Sequence, residues 1–261
     1  QQYFPLRTPQ SQSGVALEAV NLLVPGAPSG VSFCAHRGEI LGFAGLVGSG
    51  RTELVQAIFG ATPALSGSLR LEGQDFRPLS PRAAIERGVF LAPEDRKRHG
   101  LVLPMSVAEN TSLPGIGGYA RLGWLDRKRE RQVAEREMKR LNTRASSPTQ
   151  RVVNLSGGNQ QKVVLGKWLA LSPRVLILDE PTRGIDVGAK AEIYRRMAEL
   201  AEAGVCILMV SSDMEEILGM SDRVVVMHER RIVGELGRAE LSQARLAHLM
   251  TGGSAGPEAA A

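Results

Sequence analysis

Apolar and amphipathic segments alternate regularly along the chain from Arg174 onward. Short, nearly continuous apolar runs predict strands at 174–179, 205–210, 223–228 and 231–236. The segments between and after them have helical spacing and predict helices at 187–203, 213–219 and about 239–250. Because strands this uniformly apolar are typical of a parallel sheet covered by helices on both faces, the pattern predicts an α/β fold.

The first half of the chain contains the same two kinds of segment. Strands are predicted at 15–20, 39–45 and 89–92, and helices at 51–60, from Ser80-Pro81, from Ser106 and at 126–142. Ser106 and Glu109 have the spacing of a capping box. The apolar stripe of the highly charged last helix consists of Val133, Met138 and Leu141. Since residues 94–165 contain almost no strand pattern, we expect a helical insertion in the α/β domain.

The length allows one large domain or two small ones, and the composition is that of a soluble globular protein. The chain has 261 residues, of which 43% are apolar and 23% charged, as in ordinary globular proteins. The longest apolar run, 205–210, is far shorter than the roughly 20 residues that a membrane-spanning helix needs. Residues 1–13 predict a linker and residues 251–261 a flexible tail, which leaves the domain at 14–250. The chain begins with Gln1 and shows no leader, so we expect a processed or excised piece of a longer protein.

The charge and the cysteine content exclude few classes of function or partner. The net charge is +5, and the basic residues concentrate at 96–98 and 126–144. Such clusters fit nucleic acid, anionic lipid, an acidic partner or simply the solvated face of a helix, and the charge leaves these alternatives open. Cys34 and Cys206 lie in apolar, strand-like runs, which predicts buried, reduced thiols and a cytosolic compartment.

A glycine-rich segment, GLVGSGRT at 45–52, follows a predicted strand and opens a predicted helix. This is the context of a phosphate-binding P-loop, in which backbone N–H groups and the helix N-terminus converge on phosphate oxygens. Its candidate nucleotide-binding residues are Gly45, Gly48, Ser49, Gly50, Arg51 and Thr52. Thr52 stands where a Mg²⁺ ligand is expected. An ordinary strand–turn–helix is the alternative.

Two adjacent carboxylates, Asp179 and Glu180, follow the buried apolar strand at 174–179. In an open α/β sheet, ligands bind at the carboxyl edge of the strands. We therefore expect Asp179 to hold Mg²⁺ and Glu180 to polarise the water that attacks a γ-phosphate. The alternative is a turn that carries two solvated acids.

A third motif, LSGGNQQ at 155–161, opens a helix that is predicted to run to about Ala170. Its candidate residues are Leu155, Ser156, Gly157, Gly158, Asn159 and Gln160. A hydroxyl, exposed N–H groups and a helix dipole suit an anion. An ordinary helix cap is the alternative.

The P-loop, LSGGNQQ and LILDEPT (176–182), in this order, resemble the nucleotide-binding domain of ATP-binding-cassette (ABC) proteins over residues 15–250. The segments PEDRKRHGL (93–101), TRGIDVGAK (182–190), SSDMEEI (211–217) and MSDR (220–223) narrow this resemblance. They are similar to the second half of the double ATPase subunit of bacterial sugar importers of the ribose, galactose, arabinose, xylose and autoinducer-2 type. Nucleoside importers are the nearest competitor.

The resemblance implies a P-loop NTPase (RecA-like) core with an N-terminal antiparallel β subdomain and a helical insertion. It implies ATP and Mg²⁺ as cofactors, and a head-to-tail pairing in which LSGGNQ completes the partner's ATP site. The expected partners are a first ATP-binding half on the same polypeptide, membrane-spanning permease subunits and, indirectly, an extracytoplasmic sugar-binding protein. The expected location is peripheral, on the cytoplasmic face of the plasma membrane. Asp186 corresponds to the family's D-loop acid, and helix capping is its simpler alternative.

Several positions depart from the family's pattern. Arg51 replaces the P-loop lysine, Glu94 stands where a glutamine is usual, and Ser212 stands where a histidine usually contacts the γ-phosphate. No aromatic residue lies near Leu23–Gly26, where one usually stacks on adenine. Because losing a preorganised charge partner typically costs about 100- to 1,000-fold in rate, we expect this chain's own site to bind MgATP but hydrolyse it slowly.

Two other classes of function compete with the transporter subunit. The first is a soluble ABC protein of translation or DNA repair, although the basic segments alone are weak support for nucleic-acid binding and we expect none. The second is a non-hydrolysing, nucleotide-binding regulatory module, which the substitutions at Arg51 and Ser212 favour.

Overall fold

A computed structural model of the chain describes residues 4, 5, 14–121 and 123–253. Most of the predicted linker and most of the predicted tail lie outside the described residues. The chain divides into two compact units. The smaller unit comprises residues 92–173 and 181–197, and the larger one comprises the described residues before 92 together with 174–180 and 198–253.

The larger unit contains a six-stranded sheet in the order β12-β11-β3-β10-β9-β6. Its strands are β3 (Ile40–Gly45), β6 (Val89–Ala92), β9 (Val175–Asp179), β10 (Cys206–Val210), β11 (Arg223–His228) and β12 (Arg231–Gly237). Strand β3 pairs in parallel with β10 and β11, β10 pairs in parallel with β9, and β12 is antiparallel to β11. Every residue of β3, β9 and β10 is buried, which confirms the interpretation of these apolar runs as strands covered on both faces.

A second, four-stranded antiparallel sheet has the order β2-β1-β4-β5. Its strands are β1 (Val15–Leu23), β2 (Val31–His36), β4 (Ser66–Leu71) and β5 (Gln74–Phe76). The hydrophobic pattern predicted β1, and the strand-like run around Cys34 forms β2. Strands β4 and β5 were not predicted, because their only apolar residues are Leu69, Leu71 and Phe76. The antiparallel subdomain that the resemblance implied is therefore present.

The observed helices lie close to the positions predicted from the sequence. The larger unit contains α1 (Arg51–Phe59), α2 (Pro81–Glu86), α7 (Met214–Met220) and α8 (Gln243–Met250). Ser80 caps α2, as predicted, by accepting a hydrogen bond from the N–H of Ala83 at 3.3 Å. The predicted start of the last helix, near 239, was wrong: residues 238–240 form a separate 3₁₀ turn, and Ser242 caps α8.

The smaller unit is mainly helical. It contains α3 (Val107–Ser112), α4 (Arg127–Arg140), α5 (Gly157–Leu169) and the part of α6 (Val187–Glu202) that runs to Met197. The capping box of Ser106 and Glu109 forms as predicted. A two-residue pair of strands, β7 (Ala120–Arg121) and β8 (Trp124–Leu125), was not predicted.

The apolar stripe predicted for α4 was wrong in detail. The positions that α4 itself buries are Glu130, Ala134 and Glu137, while Val133 and Met138 are only half-buried. Leu141, at the C-cap, is buried as predicted. Burial of the two glutamates is compensated locally. Ser112 donates a hydrogen bond to Glu130 at 2.5 Å, and Arg127 and Arg136 pair with Glu130 and Glu137, each at 2.9 Å. Hydrophobic periodicity does not detect a buried face built on paired charges.

Candidate functional site

The glycine-rich loop of the larger unit connects the end of β3 to the start of α1. Gly48 and Gly50 have φ values of 84° and 94°, a left-handed conformation that glycine adopts without penalty. A Cβ atom on Gly45 would lie 2.5 Å from the Met227 carbonyl oxygen, so no other residue fits there. The hydroxyl of Ser49 is buried and has no hydrogen-bond partner among the described residues, which is the condition expected of a donor that awaits a ligand.

Arg51, the first residue of α1, does not extend into solvent. Its side chain is only 7% exposed, and Nη1 donates a hydrogen bond to the Ser211 carbonyl at 2.5 Å. Burial lowers the pKa of Arg51, while the nearby charges of Glu180 and Asp179 act in the opposite direction. The guanidinium is thus committed to the protein interior beside the two carboxylates.

Asp179 ends β9 and is 3% exposed. The Thr52 hydroxyl donates to its Oδ1 at 3.5 Å, a long and weak hydrogen bond. Burial raises the pKa of Asp179 to about 6; the Thr52 hydrogen bond lowers it and the charge of Glu180 raises it further. The Thr52 hydrogen bond and the charge of Arg51 compensate the desolvation of Asp179 only in part, so a bound cation would stabilise its ionised form further.

The donor set at this point fits Mg²⁺. Thr52 and Asp179 supply two hard oxygen atoms, and Mg²⁺ usually takes one or two protein oxygens and completes its shell with phosphates and water. In the part of the chain that the structure describes, no group of three or more His, Cys, Asp and Glu is arranged to hold a metal on its own. The site therefore suits a cation that arrives with a phosphate ligand.

Glu180 follows Asp179 in an unusual backbone conformation. Its φ is 51°, which costs a non-glycine residue roughly 1–3 kcal/mol. Its N–H donates to the Val210 carbonyl at 2.8 Å, and its Oε2 accepts a hydrogen bond from the Ser212 hydroxyl at 3.1 Å. The left-handed turn and these contacts hold the carboxylate at the carboxyl edge of the sheet, as predicted from its position after the strand.

The LSGGNQQ motif lies in the smaller unit, at the start of α5. Ser156 occupies the N-cap position, but its exposed side chain makes no capping bond. Instead, Nδ2 of Asn159 donates to the Ser156 hydroxyl at 2.9 Å, and Oδ1 of Asn159 accepts from the N–H of Arg144 at 2.8 Å. The hydroxyl is thus oriented by a neighbouring side chain and stays accessible from solvent.

Two other residues fix the position of this motif. Leu155 is buried, and Nε2 of Gln160 donates to the Val152 carbonyl at 3.2 Å. A Cβ atom on Gly158 would lie 2.9 Å from the Cβ of Ala189, whereas one on Gly157 would meet only the flexible end of Arg96. Gly158 is therefore required by close packing of α5 against α6.

Asp186 caps α6, as its simpler interpretation predicted. Its Oδ1 accepts a hydrogen bond from the N–H of Ala189 at 3.0 Å. It also lines a polar cavity of about 190 Å³ together with Ser156, Gly158 and Asn159. The structure thus gathers the signature residues and Asp186 in the smaller unit, while the glycine-rich loop, Asp179, Glu180 and Ser212 lie in the larger unit.

Sequence inspection missed a network around Glu94. Glu94 forms an ion pair with Arg183, and Nη1 of Arg96 donates to the Arg183 carbonyl at 3.1 Å. Residues 96–100 form one turn of π-helix, capped by Asp95. A π-turn has no distinctive sequence pattern, although such turns are frequent at functional sites.

Lys167 is a second residue that the sequence did not single out. It is 8% exposed, its ammonium group donates to the Gly100 carbonyl, and Nζ lies 4.6 Å from the centroid of the Trp168 ring. Burial lowers the pKa of Lys167 from 10.5 to about 8. The unfolded chain therefore binds more protons than the folded one between these two values, and stability rises with pH across that window.

Replacement of Lys167 by methionine tests this burial. We expect the free energy of unfolding of the wild type, relative to that of Lys167→Met, to rise by about 2–3 kcal/mol between pH 7 and pH 10, because each pKa unit is worth about 1.4 kcal/mol. Urea denaturation at several pH values measures the difference. The same substitution at Lys128, which is exposed, serves as control. If the difference in the free energy of unfolding between the wild type and Lys167→Met does not change with pH, the prediction is wrong.

Known proteins are similar to this chain over much of its length. A family model described as ABC transporter matches residues 28–183. The chain is 47% identical over 250 residues to the ribose import ATP-binding protein RbsA of Bacillus licheniformis, covering 96% of this chain and 50% of that protein. It is 48% identical over 242 residues to the arabinose import ATP-binding protein AraG of Pseudomonas syringae pv. syringae, covering 92% and 48%. The chain spans about half the length of these curated relatives.

Solved structures share the fold. A nucleotide-free ATP-binding cassette from an ABC transporter superposes with a TM-score of 0.76 at 21% identity, covering 90% of this chain and 98% of that one. A dimeric cassette bound to ADP and Pi gives a TM-score of 0.73 at 19% identity, with coverages of 85% and 98%. None of the helices in the described residues is both long and apolar enough to cross a membrane. The family model covers more than half of the chain, and the chain therefore belongs to the ABC transporter family.

Proposed function

We propose that this chain is the ATP-binding, energy-coupling domain of an ABC-type carbohydrate importer. The observation that carries the proposal is the convergence, in one unit, of the glycine-rich loop with Asp179 and Glu180 at the carboxyl edge of the sheet. The identity of 47–48% to ribose and arabinose import ATP-binding proteins supports a sugar as the transported solute. Since the chain spans half of those relatives, we propose that it acts as one of two ATP-binding halves.

The partners follow from the same proposal. A first ATP-binding half on the same polypeptide pairs with this one, membrane-spanning permease subunits receive the conformational change, and an extracytoplasmic binding protein delivers the sugar. The pair then works peripherally, on the cytoplasmic face of the plasma membrane. Choice of the sugar belongs to the permease and the binding protein.

In the chain's own site, the triphosphate lies along the backbone of residues 45–52. Thr52 and Asp179 would hold Mg²⁺, which would neutralise charge on the phosphates. Glu180 accepts a proton from the attacking water, the usual task of a carboxylate at this position in phosphoryl transfer. The buried hydroxyl of Ser49 gains an acceptor when phosphate is bound.

Two features make this site slow. Arg51 donates a hydrogen bond to the Ser211 carbonyl. It therefore does not replace the compact ammonium group that a lysine would present to the β- and γ-phosphates. Ser212 donates to Glu180 and cannot provide the cation that a histidine supplies when protonated. The accessible Ser156 hydroxyl and the N-terminus of α5 instead complete the partner half's ATP site, so that the two sites of the pair contribute unequally.

Steady-state phosphate release by the 261-residue chain with MgATP, at high protein concentration, tests this function together with MgATP binding by calorimetry. The matched control is Glu180→Gln, which keeps the size and hydrogen-bonding capacity of the side chain but removes the proton acceptor. We expect binding by both proteins and almost no turnover by either. Restoring the first half should then produce turnover in the wild-type pair.

The possible results separate the proposals. Turnover by the wild-type chain alone that is abolished in Glu180→Gln would show that the Arg51 loop is a working site, and would contradict the unequal pair. Absence of MgATP binding would contradict the nucleotide site itself. A pair that binds ATP and never turns over would favour the second candidate, a non-hydrolysing regulatory module, which the residues at positions 51 and 212 also suit.

A further inference from the structure

The turn between β11 and β12 has an unusual backbone. His228 pairs with Arg231 across the hairpin, so the turn consists of Glu229 and Arg230. Their φ values are 46° and 61°. Two-residue turns with two left-handed residues favour asparagine and glycine, and a glycine at position 230 would avoid the steric penalty that arginine incurs. An arginine with a strained backbone at this position indicates a functional role for its side chain.

The side chain of Arg230 lies against the glycine-rich loop. The backbone N–H of Arg230 donates a hydrogen bond to the Ser49 carbonyl oxygen at 2.9 Å. A Cβ atom on Gly50 would lie 2.7 Å from Cγ and 3.1 Å from Cα of Arg230. The aliphatic part of the side chain therefore covers the residue that immediately precedes α1, at the end of the loop where phosphates are expected.

The guanidinium lies at the other end of this side chain, beside the turn that follows β1. A Cβ atom on Gly26 would lie 3.5 Å from Cζ and 3.6 Å from Nε of Arg230. Nε is buried without a hydrogen-bond partner, and within the described residues no carboxylate pairs with Arg230. The planar cation thus lies next to a turn, Val24–Gly26, that contains no aromatic residue.

We propose that the guanidinium of Arg230 is the surface on which the purine base of the bound nucleotide stacks. The inference rests on the proposed nucleotide function of the same site. A guanidinium plane stacks well on aromatic rings and is more weakly hydrated than an ammonium group. Because the stem of Arg230 lies against Gly50 and its cation lies against the turn at Gly26, the charged group is placed for the base rather than for the phosphates. Arg230 is in this sense a specificity-determining residue.

Comparison of two ligands tests the assignment. MgATP carries the base, whereas magnesium tripolyphosphate has the same phosphate chain without it. We expect Arg230→Gly and Arg230→Ala to bind MgATP roughly 5- to 30-fold more weakly than the wild type, the range expected for a cation–π contact, and to bind tripolyphosphate as the wild type does. Arg230→Lys keeps the charge without the plane and should also lose most of the MgATP affinity.

Two further measurements separate binding from folding. Arg230→Gly relieves the left-handed strain, so its melting temperature without nucleotide should equal or exceed that of the wild type even though its MgATP affinity falls. Arg231→Ala removes the same charge at the neighbouring exposed position and should bind both ligands normally.

Each other outcome overturns the assignment. Equal weakening of MgATP and tripolyphosphate, restored by lysine, would make Arg230 a phosphate contact. Unchanged MgATP affinity in Arg230→Gly would show that the side chain has no part in binding. A wild-type chain that binds tripolyphosphate and MgATP equally tightly would show that the base is not held at all. Failure of the wild type to bind either ligand would contradict the nucleotide function, and with it this inference.

Discussion

Gly158→Ala in the assembled transporter is expected to reduce ATP-driven sugar uptake by at least about 100-fold, while MgATP binding in this chain's own glycine-rich loop stays at the wild-type level. The added methyl group would lie 2.9 Å from the Cβ of Ala189. Neither atom can move without shifting α5 against α6. A misplacement of about 1 Å in a catalytic group costs on the order of 100-fold in rate, and Ser156 lies at the end of the shifted helix.

Sugar uptake and MgATP binding measure two different ATP sites. Uptake reports the partner's ATP site, which Ser156 and Gly158 are proposed to complete, whereas binding of MgATP to the isolated chain reports the loop at 45–52. Gly118→Ala is the matched control, because a Cβ atom there meets nothing within 4 Å. Normal uptake by Gly158→Ala, or an equal loss of uptake in Ser156→Arg and Arg51→Ala, would contradict the proposed division of labour.

The parts of this fold that the sequence predicted are those with strong local signals. Strands β9 and β10 are uniformly apolar, and Ser80 and Ser106 carry capping chemistry that acts within three residues. The strands β4 and β5 have few apolar positions, and the pairing of all four antiparallel strands depends on long-range contacts that local patterns do not contain. The buried glutamates of α4 were missed for a related reason, since their partners come partly from another helix.

The candidate site divides in the same way. The glycines at 45, 48 and 50 were predicted because the backbone of a phosphate loop demands them. Gly48 and Gly50 have left-handed conformations, and Gly45 has no room for a Cβ atom. The destination of the Arg51 side chain and the role of Arg230 were not predictable. Both depend on backbone carbonyls and turns that lie far away in sequence. A left-handed conformation at an arginine also has no sequence pattern that would predict it.

The substitution Arg51→Lys, which restores the residue usual in phosphate loops, is expected to raise phosphate release by this site about 10- to 100-fold. The measurement is made in the paired protein, with Glu180→Gln as the background for non-specific hydrolysis. Arginine is buried and holds the Ser211 carbonyl. Lysine is shorter and carries a compact charge with three rotatable donors, so it is free to contact the β- and γ-phosphates.

Arg51→Gln and Arg51→Ala separate the effect of the positive charge from the effect of the hydrogen bond to the Ser211 carbonyl. Glutamine keeps a donor for the Ser211 carbonyl without a positive charge and should give no gain in turnover. Alanine leaves that carbonyl unpaired, which costs about 1–3 kcal/mol of stability, and leaves Asp179 and Glu180 without a nearby cation. If lysine fails to exceed arginine while MgATP binding is intact, then the slow step is set by Ser212 and its contact with Glu180, and the substitution at position 51 is neutral for catalysis.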